Sequence, residues 1–306
     1  MDVVQSVREG RGGFLLFGIT PPKAATPPDR LSQITEANLD RLRAANADGI
    51  ALYDIAEEQD RNPDARPFPF LPTHDPGEYL AHHLRDWHKS TVIYRAVGKY
   101  SEPELAQWLQ NADADQVMTV LVGASSSSNQ GSTSLRRAYE LRQELRPDLV
   151  TGAILIPERH TNRGDEHLRM LGKQESGAQF FVSQILYDSN AAKDVLAAYA
   201  DECEARGITP VPVVFTLSVC GSLKTLDFLE WLGVKVPGWM RRDLRRAEST
   251  LAASLELSRS IAVDMVQYGR RLGVPVGLNV ESVSSRRVEI DAAVALSLVL
   301  RGTLAD

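Results

Sequence analysis

Eight apolar runs of strand length, alternating with amphipathic helical patterns, predict an α/β protein of the (β/α)8 barrel class. Three observations carry that prediction. Most of the runs are apolar at successive residues, as strands buried on both faces are. Helix-length segments separate them, which is how parallel neighbours are joined. No glycine-rich phosphate fingerprint follows the first run, which argues against an open doubly wound sheet. The 306 residues, 43% hydrophobic and 24% charged, suffice for one such barrel, read as a single domain over 1–306.

The first strand is expected at 13–20, where GFLLFGIT runs into Pro21-Pro22. Proline has no N–H to continue a ladder, so the strand stops there. GIALYDI (49–55), TVIYRAV (91–97) and VMTVLVGA (117–124) follow, rich in β-branched and aromatic residues. VTGAILIP (150–157) closes on a proline, and AQFFVSQILY (178–187), VPVVFTL (211–217) and PVGLNVE (275–281) complete the set. Helical patterns lie at 32–46, 76–88, 101–112, 133–146, 164–175, 190–206, 222–231, 241–271 and 284–300. SEPEL at 101–105 has a good start: Ser at the cap, Pro in the first turn, Glu104 near the positive dipole end. The loop at 58–75, rich in Pro and Asp, is long enough to carry specificity.

Composition excludes several function classes. A net charge of −6 argues against a general nucleic-acid binder. Arg241, Arg242, Arg245 and Arg246 are a local exception whose spacing suits one solvated helix face. Two cysteines, Cys203 and Cys220, make no disulfide framework, the first residues lack a signal-peptide core, and no apolar run approaches the roughly 18 residues that span a bilayer. The expectation is a cytoplasmic protein with no membrane partner.

In a barrel of this class function sits where the strands end. Those ends offer Thr20, Asp54, Arg95, Ser125 to Ser128, Glu158 to His160, Gln184, Tyr187, Asp188, Thr216, Ser218, Asn279 and Glu281. The set is polar, mixed in charge and without metal-ligand spacing. His82, His83 and His88 read as ordinary helix histidines. ASSSSNQG (124–131) reads as a flexible polar loop or a phosphate cradle of backbone N–H groups, and as a nucleophile loop only if a histidine partner exists.

GAQFFVSQILYD (177–188) resembles the strand-six signature of methylenetetrahydrofolate reductases. ITPPK (19–23), IPERH (156–160), GVKVPGWM (233–240) and LNVE (278–281) are similar to four further motifs of that family, in the same order. The resemblance implies a TIM barrel that reduces 5,10-methylenetetrahydrofolate to 5-methyltetrahydrofolate with hydride from NAD(P)H, normally through FAD. It implies a reduced-folate ligand held by Gln184, with Tyr53 and Asn279 at the same mouth. It also places His160, Glu166 and Lys173 on the cofactor side, although these three can also be read as ordinary surface residues at the start and end of a helix.

The departures point away from a flavin. The acid that the family carries on its first strand falls at Gly18, and its flavin and pterin contacts fall at Val122-Gly123-Ala124, Ile156, Leu52 and Val280. The pattern looks more like flavin-free relatives that take hydride directly from nicotinamide. Asp54, read as sharing a face with Leu52 and projecting into the void at Gly18, is the first candidate for a replacement acid. Glu281, flanking Gly18 once the barrel closes, is the second. Each is also readable as half of a barrel-mouth salt bridge, with Arg95 as a partner. Three functions stay open: a flavin-free reductase, a folate-dependent one-carbon transferase, and a folate-binding barrel without catalysis.

Overall fold

A computed structural model describes residues 1–56, 64, 66–123 and 132–305. The strands are β1 (Leu15–Ile19), β2 (Gly49–Leu52), β3 (Ser90–Ala96), β4 (Val117–Val122), β5 (Thr151–Leu155), β6 (Phe180–Ile185), β7 (Val213–Ser218) and β8 (Val276–Glu281). All pairings are parallel, each strand beside the next, and β1 closes on β8. The result is a (β/α)8 TIM barrel, as the alternating pattern predicts.

The helices, in chain order, are α1 (Val3–Arg8), α2 (Pro28–Ala44), α3 (Pro76–His83), α4 (Glu102–Asn111), α5 (Leu135–Leu145), α6 (Pro157–Arg163), α7 (Glu166–Glu175), α8 (Ser189–Arg206), α9 (Leu223–Trp231), α10 (Gly238–Arg246), α11 (Thr250–Leu272) and α12 (Arg287–Ala305). Apolar residues alternate between two cores. Phe14, Leu16, Ala51, Val92, Met118, Val120, Phe180, Val182 and Val214 fill the lumen. Leu15, Phe17, Leu52, Ile93, Leu121, Phe181 and Phe215 face the helices.

Three elements differ from the sequence expectation. α1 was not expected, because six residues are too few to show a helical period. Asp2 caps it by accepting from Gln5 N, and Val3 N donates to Ser90 Oγ (3.1 Å), so Val3, Val4 and Val7 close the lumen at its base. The expected helix 241–271 is two: Ala247 is extended, and Ser249 begins α11 by accepting from Ala252 N. β5 stops at Leu155 because Pro157 opens α6, which ends at Gly164 in the left-handed region. No helix among the described residues is long and apolar enough to cross a membrane.

Candidate active site at the barrel mouth

Strand register builds the site. Gly18 lies opposite Glu281 on β8, and Glu281 lies opposite Ser218 on β7, so all three share one level at the C-terminal end. Tyr53 follows β2 in the alternation of Ala51 and turns inward. Its ring packs against Gly18 and meets Tyr94 of β3 with centroids 4.8 Å apart. Asn279, fully buried and in register with Thr216, donates from Nδ2 to Tyr53 Oη (2.8 Å) and to Thr216 Oγ1 (3.3 Å). Its Oδ1 has no hydrogen-bond partner among the described residues. Glu281 is buried beside them, and its Cβ and the Tyr53 hydroxyl both border the space that a side chain at Gly18 would take.

Electrostatics follow from this burial. Desolvation pushes the Glu281 carboxyl up to about 7, with the Tyr53 hydrogen bond opposing it. Burial, then the neighbouring Glu281 carboxyl, raises both Tyr53 and Tyr94, so the phenols stay neutral. The mouth therefore holds one carboxyl poised to exchange a proton near neutrality, two neutral phenols and an amide oxygen without a partner.

Asp54 is elsewhere. The parity expected for it is reversed: Leu52 belongs to the outer core and Tyr53 to the lumen, so Asp54 turns outward past the end of β2. Its Oδ1 pairs with Lys99, and its Oδ2 accepts from Ala96 N (2.9 Å) and Tyr100 Oη (2.7 Å). Tyr100 also bonds Asp75, and Asp75, not Asp54, takes Arg95. Arg95 in turn lies 4.1 Å over the Trp108 ring. The space at Gly18 is not a void: Tyr53 fills it.

Gln184 sits where the β6–β7 register shifts, between Val182 and Ile185, and its Nε2 donates to Leu232 O (3.0 Å). His160, Glu166 and Lys173 gather near β5, across the ring from β1. Glu166, fully buried, accepts from Ile156 N (3.2 Å) and lies 3.7 Å from Lys173 Nζ, which donates to Ile154 O (2.5 Å). Burial lowers Lys173, with Glu166 opposing. His160 meets His167 edge to face at 5.1 Å, and burial, then His167, lowers its pKa.

Sequence reasoning missed Tyr94, since it picked out the outward neighbour Arg95; counting parity from Val92 would have found it. The candidate phosphate cradle at 124–131 and most of 57–65 lie outside the described residues. No group of three His, Cys, Asp or Glu side chains among the described residues could hold a metal. A separate cleft of about 450 Å³ opens on the flank, lined by Leu84, Trp87, Ile93 and Trp108, and no residue of the mouth cluster lines it.

Known proteins resemble this chain in sequence and shape. A family model described as methylenetetrahydrofolate reductase matches residues 124–279. None of the curated proteins matches. A solved structure from Clostridium thermocellum, described as binding two copies of 5-methyl-5,6,7,8-tetrahydrofolic acid, is 35% identical with a TM-score of 0.86, over 98% of this chain and 99% of that one. At much lower similarity come a xylanase from Caldicellulosiruptor owensensis and a dihydropteroate synthase from Xanthomonas albilineans. The first is 10% identical (TM-score 0.49, 93% of this chain, 89% of that one). The second is 13% identical (TM-score 0.44, 97% and 94%).

Proposed function

Since the chain belongs to the methylenetetrahydrofolate reductase family, we propose that its mouth binds a reduced folate and reduces 5,10-methylenetetrahydrofolate to 5-methyltetrahydrofolate with NAD(P)H. The observation that carries this reading is Glu281, a buried carboxyl whose pKa is raised to about 7, next to an Asn279 oxygen without a partner among the described residues. The folate described for the 35%-identical neighbour supports the ligand class.

In this reading Glu281 is the acid. It gives its proton to the departing ring nitrogen as the carbon–nitrogen bond breaks, the bond pair stays on that nitrogen, and an iminium forms at the other. A nicotinamide bound beside the pterin would supply the hydride that the iminium carbon takes up. Asn279, Tyr53 and Gln184 bind the pterin, whose edge offers both donors and acceptors to an amide. His160 is the β5-side residue assigned to the nucleotide, while Glu166 and Lys173 brace the strand end that presents it. Asp54 acts as a structural carboxylate.

A flavin does not fit these residues. Leu52 and Val280 turn into the outer core, away from the mouth, and Val122 offers an isoalloxazine ring no hydrogen bond. The mechanism therefore runs without FAD.

One observation favours a second reading. The neighbour's ligand already carries the methyl group, which suits a one-carbon transferase that uses methyltetrahydrofolate as donor. NAD(P)H oxidation that depends on added methylenetetrahydrofolate separates the two. Turnover that falls about 10²–10⁴-fold in Glu281→Gln supports the reductase. Folate binding without any NAD(P)H oxidation overturns it in favour of transfer, or of binding alone.

A further inference from the structure

Gly18 is glycine for space, not for backbone freedom: it is not among the residues with positive φ. A Cβ built on it would lie 2.7 Å from Tyr53 Oη, 2.8 Å from Tyr53 Cε2 and 3.1 Å from Glu281 Cβ. Alanine at 18 and the phenol of Tyr53 cannot both occupy that volume. The missing side chain is thus what lets Tyr53 reach Glu281.

The phenol so admitted is oriented. Asn279 Nδ2 donates to Tyr53 Oη at 2.8 Å, so the hydroxyl's own hydrogen is directed away from Asn279, and Glu281 lies on the other side of Gly18's empty Cβ position, within reach of it. Asn279 is itself fixed by Thr216 Oγ1 at 3.3 Å and is fully buried. The chain of donors runs one way, amide to phenol to carboxyl, and it favours the carboxylate at its end. We propose that Tyr53 is the positioning residue for the Glu281 proton, admitted by Gly18 and oriented by Asn279. This deepens the functional reading above and rests on it only for the proton's destination.

The step balances without a further reactant. As the carbon–nitrogen bond of the folate breaks, Glu281 loses its proton to the departing nitrogen, which keeps the bond pair. The carboxylate left behind is met by the Tyr53 O–H already pointing at it. Among the described residues the titratable groups facing Glu281 are Tyr53 just past β2 and Tyr94 from β3, with Gly18 from β1 and Ser218 from β7 carrying no charge. Both phenols are held neutral, so neither competes for the role of acid.

An infrared titration of folate-free protein tests this, with the Glu281 carboxyl band assigned by its loss in Glu281→Gln. Wild type should titrate near neutrality. Tyr53→Phe keeps the ring and removes the donor, so the midpoint should rise by roughly one to two pH units. Gly18→Ala displaces the phenol and should move the midpoint in the same direction. With active enzyme, the fall of kcat at high pH shifts upward in step. A midpoint unchanged in Tyr53→Phe overturns the proposal, and so does a natively folded Gly18→Ala that titrates as wild type. Since the titration contains no folate, a failure to reduce methylenetetrahydrofolate overturns the functional reading alone.

Discussion

A carboxyl held neutral to about pH 7 inside a barrel mouth makes folding depend on pH. The ordinary glutamate value is 4.5, so as pH rises the unfolded chain releases this proton before the folded one does. The stability from Glu281 is therefore complete below about pH 4.5 and lost as pH climbs through about 7, a change on the order of 3 kcal/mol. Glu281→Gln should remove that dependence and gain on wild type above pH 7, read as urea midpoints at pH 5 and pH 8. Asp54→Asn should behave differently. It breaks the pair with Lys99 and should cost about 1–3 kcal/mol of stability while folate affinity holds, seen by melting and by titration calorimetry. At this scale the sequence was half legible. Asn279 and Glu281 were picked out because strand ends concentrate function, and Tyr53 entered only with the folate reading. Asp54 was misplaced because parity after a four-residue strand cannot be counted until the strand's first inward residue is known.

At the scale of elements, β6 is the one that re-aims a side chain. Its register shift at Val182–Ile185 breaks the regular ladder, and Gln184 lies within it. Losing the amide should leave the shift in place, because Ser183 Oγ already accepts from Thr216 N (2.9 Å) and holds the neighbouring strand. Gln184→Ala should then weaken tetrahydrofolate binding by about 1–3 kcal/mol, roughly 5- to 150-fold, with an unchanged circular dichroism spectrum. Unweakened binding would remove Gln184 from the pocket. Strands were easier to foresee than helices here. Continuous apolar runs announce buried strands, whereas α1 spans only two turns and the break at Ala247 interrupts a pattern that stays amphipathic on both sides.

For the whole molecule, the alternation of eight strands with helices was enough to foresee the closed parallel ring, because few other architectures bury so many two-faced apolar strands. The positions where a flavin ring would need partners are apolar or turned outward, so the purified protein should be colourless. A stoichiometric flavin spectrum surviving gel filtration would contradict this. The N-terminal helix has a kinetic consequence. Val3, Val4 and Val7 fill the base of the lumen, so whatever reaches Glu281 does so from the C-terminal mouth. In the proposed reductase, folate and nicotinamide then share one doorway. A reductase with a resident flavin can let them take turns, since the flavin stores electrons between visits. In a flavin-free reductase of the kind proposed, the electrons have nowhere to wait, and donor and acceptor must lie in the mouth together. Initial-rate plots at several fixed folate concentrations should therefore intersect rather than run parallel, and crossing lines would mark a mouth that holds both molecules at once.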